Sequence, residues 1–428
     1  MLNNDRQAGL GTDGRDAKVK LITAYFVVIM LAHTLMYIGS QLIETSRTLY
    51  VQSLGGTASF AGLLLTLTAA SATVLRIFSG RTSDKRGRRG LIISGSVIFG
   101  LSALSFNLFP YLGAMPIISL VRGVGMSMAV TTLSIAITDV IPKERMGEGL
   151  GYFGLTQPLT YVVAPAISAG LIAAGSFRAI YYITTGFILS VAVIMFFCNY
   201  EKDTKFLEQR KALPEERADP PAEETGDAAA GQRGIAAYFE KTALPCAAIQ
   251  LFISIAQGAN NSFLMAYAFH IGVPNPAINY TLSAVFMVAT RVVVGRLADR
   301  TKPVFMVAIG ISFSAAAYAC LLFSQDNAMF FYIAGAAAGI SNGIVLPVMQ
   351  ATVVRISPDS RRGAAMSTYT FPMDLGIAIG SLMWGIIVDH SGYSSMYVCC
   401  VVSTGIAIAL TIFLLRKVES ARPKMKRS

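Results

Sequence analysis

Residues 76–84 read RIFSGRTSD, and residues 291–299 read RVVVGRLAD. Both follow one pattern, Arg-x-x-x-Gly-Arg-x-x-Asp, once in each half of the chain. A second pattern repeats almost in step: Pro142-x-x-Arg145-x-Gly147 recurs as Pro358-x-x-Arg361-x-Gly363, and Gly123 recurs as Gly339. Two independent matches at nearly one spacing point to a duplicated half. Each copy of the first pattern stands at the C-terminal edge of an apolar block, so the nature of those blocks decides the fold.

The chain has 428 residues, 54% hydrophobic and only 14% charged, where a soluble domain carries about a quarter charged residues. Mean hydropathy is +0.57. The apolar residues fall in blocks of roughly twenty, the length that crosses a hydrocarbon core of ~30 Å as a helix. In lipid only helices and closed barrels satisfy their own backbone hydrogen bonds. The blocks lack the period-two alternation of barrel strands. The sequence therefore predicts an all-α membrane protein with twelve spans, at 21–43, 57–79, 90–109, 115–140, 150–174, 178–199, 243–269, 277–297, 303–324, 328–353, 363–388 and 393–415. Between spans 6 and 7, residues 201–242 contain ADPPAEETGDAAAGQ, which is too polar to bury a core and reads as a disordered linker. It divides a six-helix half at 21–200 from a six-helix half at 243–415, with tails at 1–20 and 416–428. The first twenty residues are polar, with no cleavable signal pattern, and the block from Leu21 serves as an uncleaved first span.

Charge placement gives the orientation. The loops after spans 2, 4, 8 and 10 hold Arg81, Lys85, Arg86, Arg88, Arg89, Lys143, Arg145, Arg296, Arg300, Lys302, Arg355, Arg361 and Arg362, whereas the opposite loops hold Arg47 and Arg178. The positive-inside rule places the first set, the linker and both termini in the cytoplasm, so the locale is the inner membrane. The net charge of +11 is thereby explained without nucleic acid. Both copies of the repeat face one side, so the halves are parallel repeats about an axis along the membrane normal. Within the motif, a glycine at Gly80 and Gly295 would permit close helix approach. Asp84 and Asp299 would meet a helix N-terminus or an arginine on a neighbour. That set, with Arg76, Arg81, Arg291 and Arg296, reads as a conformational latch; Arg88 and Arg89 read as topology signals.

At these residues the sequence resembles the major facilitator superfamily. GRTSDKRGRR (80–89) is similar to that family's signature loop between spans 2 and 3, and GRLADRTK (295–302) to its weaker copy. Within the family the chain looks most like the drug–proton antiporter branch. SLVRGVGMSMA in span 4 resembles that branch's motif with an embedded arginine, although glycines follow Arg122 at one and three residues. GYFGLTQPLTYVVAPAISAG in span 5, with Gly154 and with Ala164-Pro165 in place of Gly-Pro, resembles the antiporter motif. RRGAAMSTYTFPMDLGIAIGS in span 11 resembles bacterial exporters of the branch. The resemblance implies a rocker-switch transporter with alternating access.

Candidate working residues are the polar groups inside spans, where charge is costly and usually functional. Arg122 would lie roughly 10 Å below the outer surface at 1.5 Å per residue, as a proton-relay or substrate-charge residue or as half of a structural ion pair. Asp374 would lie near the bilayer centre, a carboxyl suited to proton coupling or substrate contact, or to tying spans together. Glu44 and Arg47 would pair at the outer end of span 1, as cavity-mouth charges or a solvated loop pair. His33 reads as a proton carrier or a neutral packing histidine. Gln257, Asn260, Asn261 and Asn342 would line a cavity or join helices. Tyr37, Tyr152, Phe153, Tyr267, Tyr369 and Phe371 would wall a site or simply pack.

No Gly-rich phosphate loop points to ATP-driven pumping. No Cys/His cluster or Ser/His/Asp set suggests a metal, cofactor or hydrolytic enzyme, and Cys198, Cys246, Cys320, Cys399 and Cys400 read as apolar packing residues. The sequence-based expectation is a monomeric, lipid-embedded exporter of small organic molecules that exchanges them for protons. The alternatives are a proton-coupled importer of a metabolite and a non-transporting receptor or lipid-handling scaffold.

Overall fold

The computed structural model describes residues 21–142, 145–202, 240–297, 301–358 and 361–415, without the side chains of 77–86, 202 and 296. Arg81, Asp84, Arg296 and Asp299 are therefore outside the described side chains, as is any contact of Gly80. Both tails and most of the linker are outside the described residues altogether.

Among the described residues, eleven helical stretches are long and apolar enough to cross a membrane. The last, Arg362–Leu415, spans 54 residues, about 80 Å at 1.5 Å per residue, far more than one crossing needs. It bends at Gly392, whose φ of +79° no L-residue adopts cheaply, and so supplies two spans. We number the helices by span: α1 Ala24–Ser53, α2 Ala58–Arg86, α3 Arg88–Leu108, α4 Met115–Val140, α5 in two pieces, Met146–Phe153 and Thr156–Ala173, α6 Phe177–Phe197, α7 Leu244–His270, α8 Ala277–Leu297, α9 Pro303–Phe323, α10 Ala328–Ile356, α11 362–391 and α12 393–415. Thr23, Thr57 and Asn327 cap α1, α2 and α10 through their side chains, and Pro116, Pro245 and Pro303 open α4, α7 and α9, where a missing N–H costs nothing.

Three expected boundaries move. Helix α1 continues ten residues past 43, because the polar run after it is buried against partners: Thr45 Oγ1 donates to Ser168 Oγ at 2.8 Å and Thr48 Oγ1 to the Ser262 carbonyl at 2.5 Å. Helix α2 continues through the motif to Arg86, so only Gly87, with φ +86°, separates it from α3. Most of the signature is thus helix rather than loop. The edges of the linker are also anchored. Glu201 accepts the N–H of Arg88 at 2.6 Å, capping α3, while Glu240 pairs with Arg361 at 3.1 Å.

Arg88 and Arg89 are more than topology signals. Arg88 pairs with Asp139 at the end of α4, and Arg89 donates to the carbonyls of Met195 and Phe196, which the end of α6 leaves unpaired. Both tie the linker end of the N-terminal half together.

The two halves each own a core that reaches the linker end: one centred on Phe99, Leu133 and Met195, the other on Ile249, Val307 and Met349. A third core joins the halves at the far end, through Leu42, Ala164 and Ile180 on one side and Phe263, Tyr280 and Trp384 on the other. The far end is therefore sealed. Along the α2–α11 seam the backbones nearly touch: a Cβ at Gly62 would strike the Ser381 carbonyl, and one at Gly385 would meet the Ala58 carbonyl at 2.6 Å. Asp389 of α11 closes the seam by accepting the N–H groups of Ala58 and Ser59, each at 2.8 Å, at the start of α2. A carboxylate there completes a helix N-terminus. Asp389→Ala, which removes both acceptors, should weaken this seal by about 1 kcal/mol, about a fivefold shift toward an open far end. A cysteine placed at Ser59 should then react faster with a membrane-impermeant maleimide; an unchanged rate would show that Asp389 does not hold the seal.

Candidate functional site

Beneath the far-end seal, between the halves, lies a cavity of about 200 Å³. It is lined by Tyr37, Gln41 and Glu44 of α1, Thr68 and Arg76 of α2, Gln157 and Tyr161 of α5, Asn261 of α7 and Asp374 of α11. The charged members form two ion-pair systems of different character.

The first is buried. Glu44 lies well inside α1 and accepts hydrogen bonds from Arg47 Nη2 at 2.7 Å and Arg122 Nη2 at 2.6 Å. Both arginines are 1% exposed. This corrects the expected position of Glu44 and Arg47 at a solvated cavity mouth, and the reason is the longer α1. Arg122 faces inward onto Glu44, and its guanidinium lies 5.5 Å from the centre of the Phe99 ring, a contact that favours a cation. Only Glu44 shows a face to the cavity. One carboxylate answers two guanidinium groups, so the cluster carries a net positive charge. Among the described residues, Arg47 Nε and Nη1 and Arg122 Nε have no hydrogen-bond partner.

The second is exposed and joins the halves. Arg76 Nη1 lies 2.5 Å from Asp374 Oδ2, with side chains 47% and 21% exposed. A pair so open to water contributes about 0–1 kcal/mol, whereas breaking one partner from a buried pair costs about 3–5 kcal/mol. The Arg76–Asp374 bridge is thus the less costly of the two to break. The sequence reads Arg76 as part of a latch; the structure instead puts its guanidinium in the cavity. Its place inside the apolar run SATVLRIF is the signal that an intramembrane charge is present.

The repeat partner of Arg76 also crosses between halves. Arg291 Nη1 of α8 donates to the carbonyl of Gly154 in α5 at 3.1 Å. That carbonyl is free because the residue four positions on is Pro158, which has no N–H, and α5 breaks there. So each half sends one motif arginine to the other, Arg76 to a carboxylate and Arg291 to an orphaned carbonyl. Arg291→Met should cost about 1–3 kcal/mol by leaving that carbonyl unpaired. The backbone at position 158 cannot donate while proline stands there, but Pro158→Ala restores the N–H and should make Arg291→Met nearly silent. Thermal unfolding of the two single variants and the double variant measures the coupling; additive losses would disprove it.

The remaining candidates separate. Tyr37 and Asn261 line the cavity. Gln257 Nε2 donates to Asn342 Oδ1 at 3.0 Å, joining α7 to α10. Tyr369 is a correction: it is fully buried and its hydroxyl donates to Gln250 Oε1 at 2.9 Å, inside the C-terminal half. Tyr267 is likewise buried, donating to the Leu321 carbonyl at 2.7 Å. His33 is enclosed between Tyr37 and Phe153 at ring separations of 4.5 and 4.4 Å and meets Thr156 Oγ1 at 3.1 Å. Ala164 and Pro165 are buried in α5, Ala164 within the core that joins the halves. Gly295 faces open space, so close helix approach does not explain it; the glycines that do permit close approach include Gly62 and Gly385 in the far-end seam and the repeat pair Gly123 and Gly339, which lie against the Thr68 and Ser283 carbonyls. Asp389 escapes the sequence reading, because it lies one residue past the expected end of span 11.

Comparison with known proteins agrees with the fold. A profile of the Major Facilitator Superfamily matches residues 29–274 and 243–428. The staphylopine export protein of Staphylococcus aureus is 22% identical over 376 residues, covering 86% of this chain and 90% of the relative. The quinolone resistance protein NorA of the same species is 26% identical over 165 residues, 37% of this chain and 42% of NorA. Among solved structures, the nucleoside transporter NupG superposes with a TM-score of 0.70 at 11% identity, covering 92% of this chain and 99% of the other. A bacterial homologue of the human lysosomal transporter Spinster, solved inward-facing and occupied, gives 0.69 at 14% identity, covering 92% and 98%.

Proposed function

Since this chain belongs to the Major Facilitator Superfamily and is a secondary transporter of small molecules, we propose that it exports a small organic molecule in exchange for protons by alternating access. The observation that carries this reading is the Arg76–Asp374 bridge, an exposed ion pair between halves in the central cavity. A carboxylate at that position, within a span and between the halves, is placed to carry a proton from one side to the other as the halves rock. Export is favoured by two relatives, the staphylopine export protein and the quinolone resistance protein NorA. With the arginine-rich loops in the cytoplasm, the protein sits in the inner membrane with both termini cytoplasmic. The sealed far end is then periplasmic, and the conformation described is inward-facing.

Reconstituted vesicles test the reading. Everted membranes carrying the protein should accumulate a cargo when their interior is acidified, and cargo addition should release protons from the lumen. Uptake that follows the proton in the same direction would make it an importer. Transport indifferent to the gradient would remove proton coupling.

A further inference from the structure

We infer that the cargo is a zwitterion, a small molecule bearing a carboxylate and an ammonium group, whose two charges replace the Arg76–Asp374 bridge. This rests on the exchange reading above and adds the substrate class. Among the described lining residues, Arg76 and Asp374 are the pair of opposite charges that both face the cavity. The neighbouring carboxylate, Glu44, is held by Arg47 and Arg122 and is not free to leave them.

The charge account then separates the ligand classes. Of the charged groups here, Arg76, Glu44 and Asp374 line the cavity, with Arg47 and Arg122 directly behind Glu44 and Arg291 on the Gly154 carbonyl, so the summed field that a lone cation meets carries a surplus of guanidinium. A lone anion could take Arg76 only when Asp374 is protonated, and cargo and proton would then travel together, the opposite of exchange. A zwitterion needs Asp374 ionised for its ammonium and Arg76 for its carboxylate. Cargo and proton therefore exclude each other, which is the logic that exchange requires. Arg76 from α2 meets Asp374 directly, and the polar groups that line the cavity with it include Tyr37 and Glu44 from α1, Tyr161 from α5 and Asn261 from α7. The neutral members can orient a bound molecule by hydrogen bonds without changing this count.

The test uses the full-length protein in detergent and matched probes: leucine, phenylalanine and the dipeptide Ala-Phe, each with its amine-only and acid-only counterpart. Calorimetry should show each zwitterion that binds to be at least tenfold tighter than both counterparts. Arg76→Gln should bring the amine-only probe level with the zwitterion, and Asp374→Asn should do the same for the acid-only probe, with helix content unchanged by circular dichroism. Tightest binding by a single-charge probe, binding by none of the probes, or a preference that neither variant alters would overturn the proposal. Zwitterion binding without any response to a proton gradient in vesicles would support the cargo assignment while refuting proton exchange, so the two readings fail separately.

Discussion

Asp374→Asn folds normally and loses proton-driven accumulation. Folding survives because the bridge to Arg76 is exposed and contributes about 0–1 kcal/mol, and because Arg76, 47% exposed, keeps its hydration when its partner becomes neutral. Transport fails because an amide neither takes nor releases a proton at the position where the halves meet. For one charge moved across 100 mV the driving force is ~2.3 kcal/mol, about a fiftyfold accumulation at equilibrium. In vesicles the variant should fall from that range to a ratio near one, while exchange of cargo between the two sides at equal concentration continues once the cargo is raised about tenfold to offset its weaker binding. Asp374→Glu, which retains a titrating group, should recover part of the accumulation. Wild-type accumulation by the asparagine variant would remove Asp374 from the mechanism.

Glu44→Gln should be the most destabilising single change in the buried cluster, far worse than Arg122→Met. With Glu44 present, one carboxylate holds Arg47 and Arg122 at 2.7 and 2.6 Å. Its loss leaves two guanidinium groups, each 1% exposed, without a counter-charge. Removing one member of a buried pair costs about 3–5 kcal/mol, a large part of a typical folding free energy. Arg122→Met removes charge from a cluster that has one cation too many and leaves a balanced Glu44–Arg47 pair. The methionine fills the space beside Phe99, so the loss should be about 1.5 kcal/mol or less. Thermal unfolding in detergent gives the order directly. Equal losses in the two variants would mean that Glu44 is not the shared counter-charge. If Arg122→Met is stable and still fails in vesicle transport, Arg122 has a working role beyond the ion pair.

The fold was legible because its signals are coarse. Apolar blocks of membrane-spanning length, cation-rich loops on one side and a motif that recurs in the second half need no side-chain detail, and the helices follow them. The site was less legible, for two physical reasons. Hydropathy ends a span where polar residues begin, so the run after Ile43 reads as a loop, although Thr45 and Thr48 find buried partners and carry α1 on to Ser53. That shift moves Glu44 from the mouth to the cavity. Sequence patterns also show residue type and not rotation about a helix axis. Gln257 and Asn261 are four apart in α7, yet one binds Asn342 and the other faces the cavity. Tyr369, like Tyr37 an aromatic residue inside a span, turns into the core of its own half while Tyr37 lines the cavity. Arg76 is visible as an intramembrane charge, but its motif hides that role.

The account stands on the two halves rocking so that one end opens as the other closes. Spin labels on a background lacking the five native cysteines measure this directly. One pair, at Tyr111 and Asp326, reports the far-end loops of opposite halves; the other, at Gly147 and Gly363, sits at repeat-related exposed positions on the linker end. On shifting from neutral to acidic pH, the far-end distance should lengthen and the linker-end distance shorten together, each trace showing two populations whose weights change. A protein that transports while both distances stay fixed, or lengthen together, would contradict it.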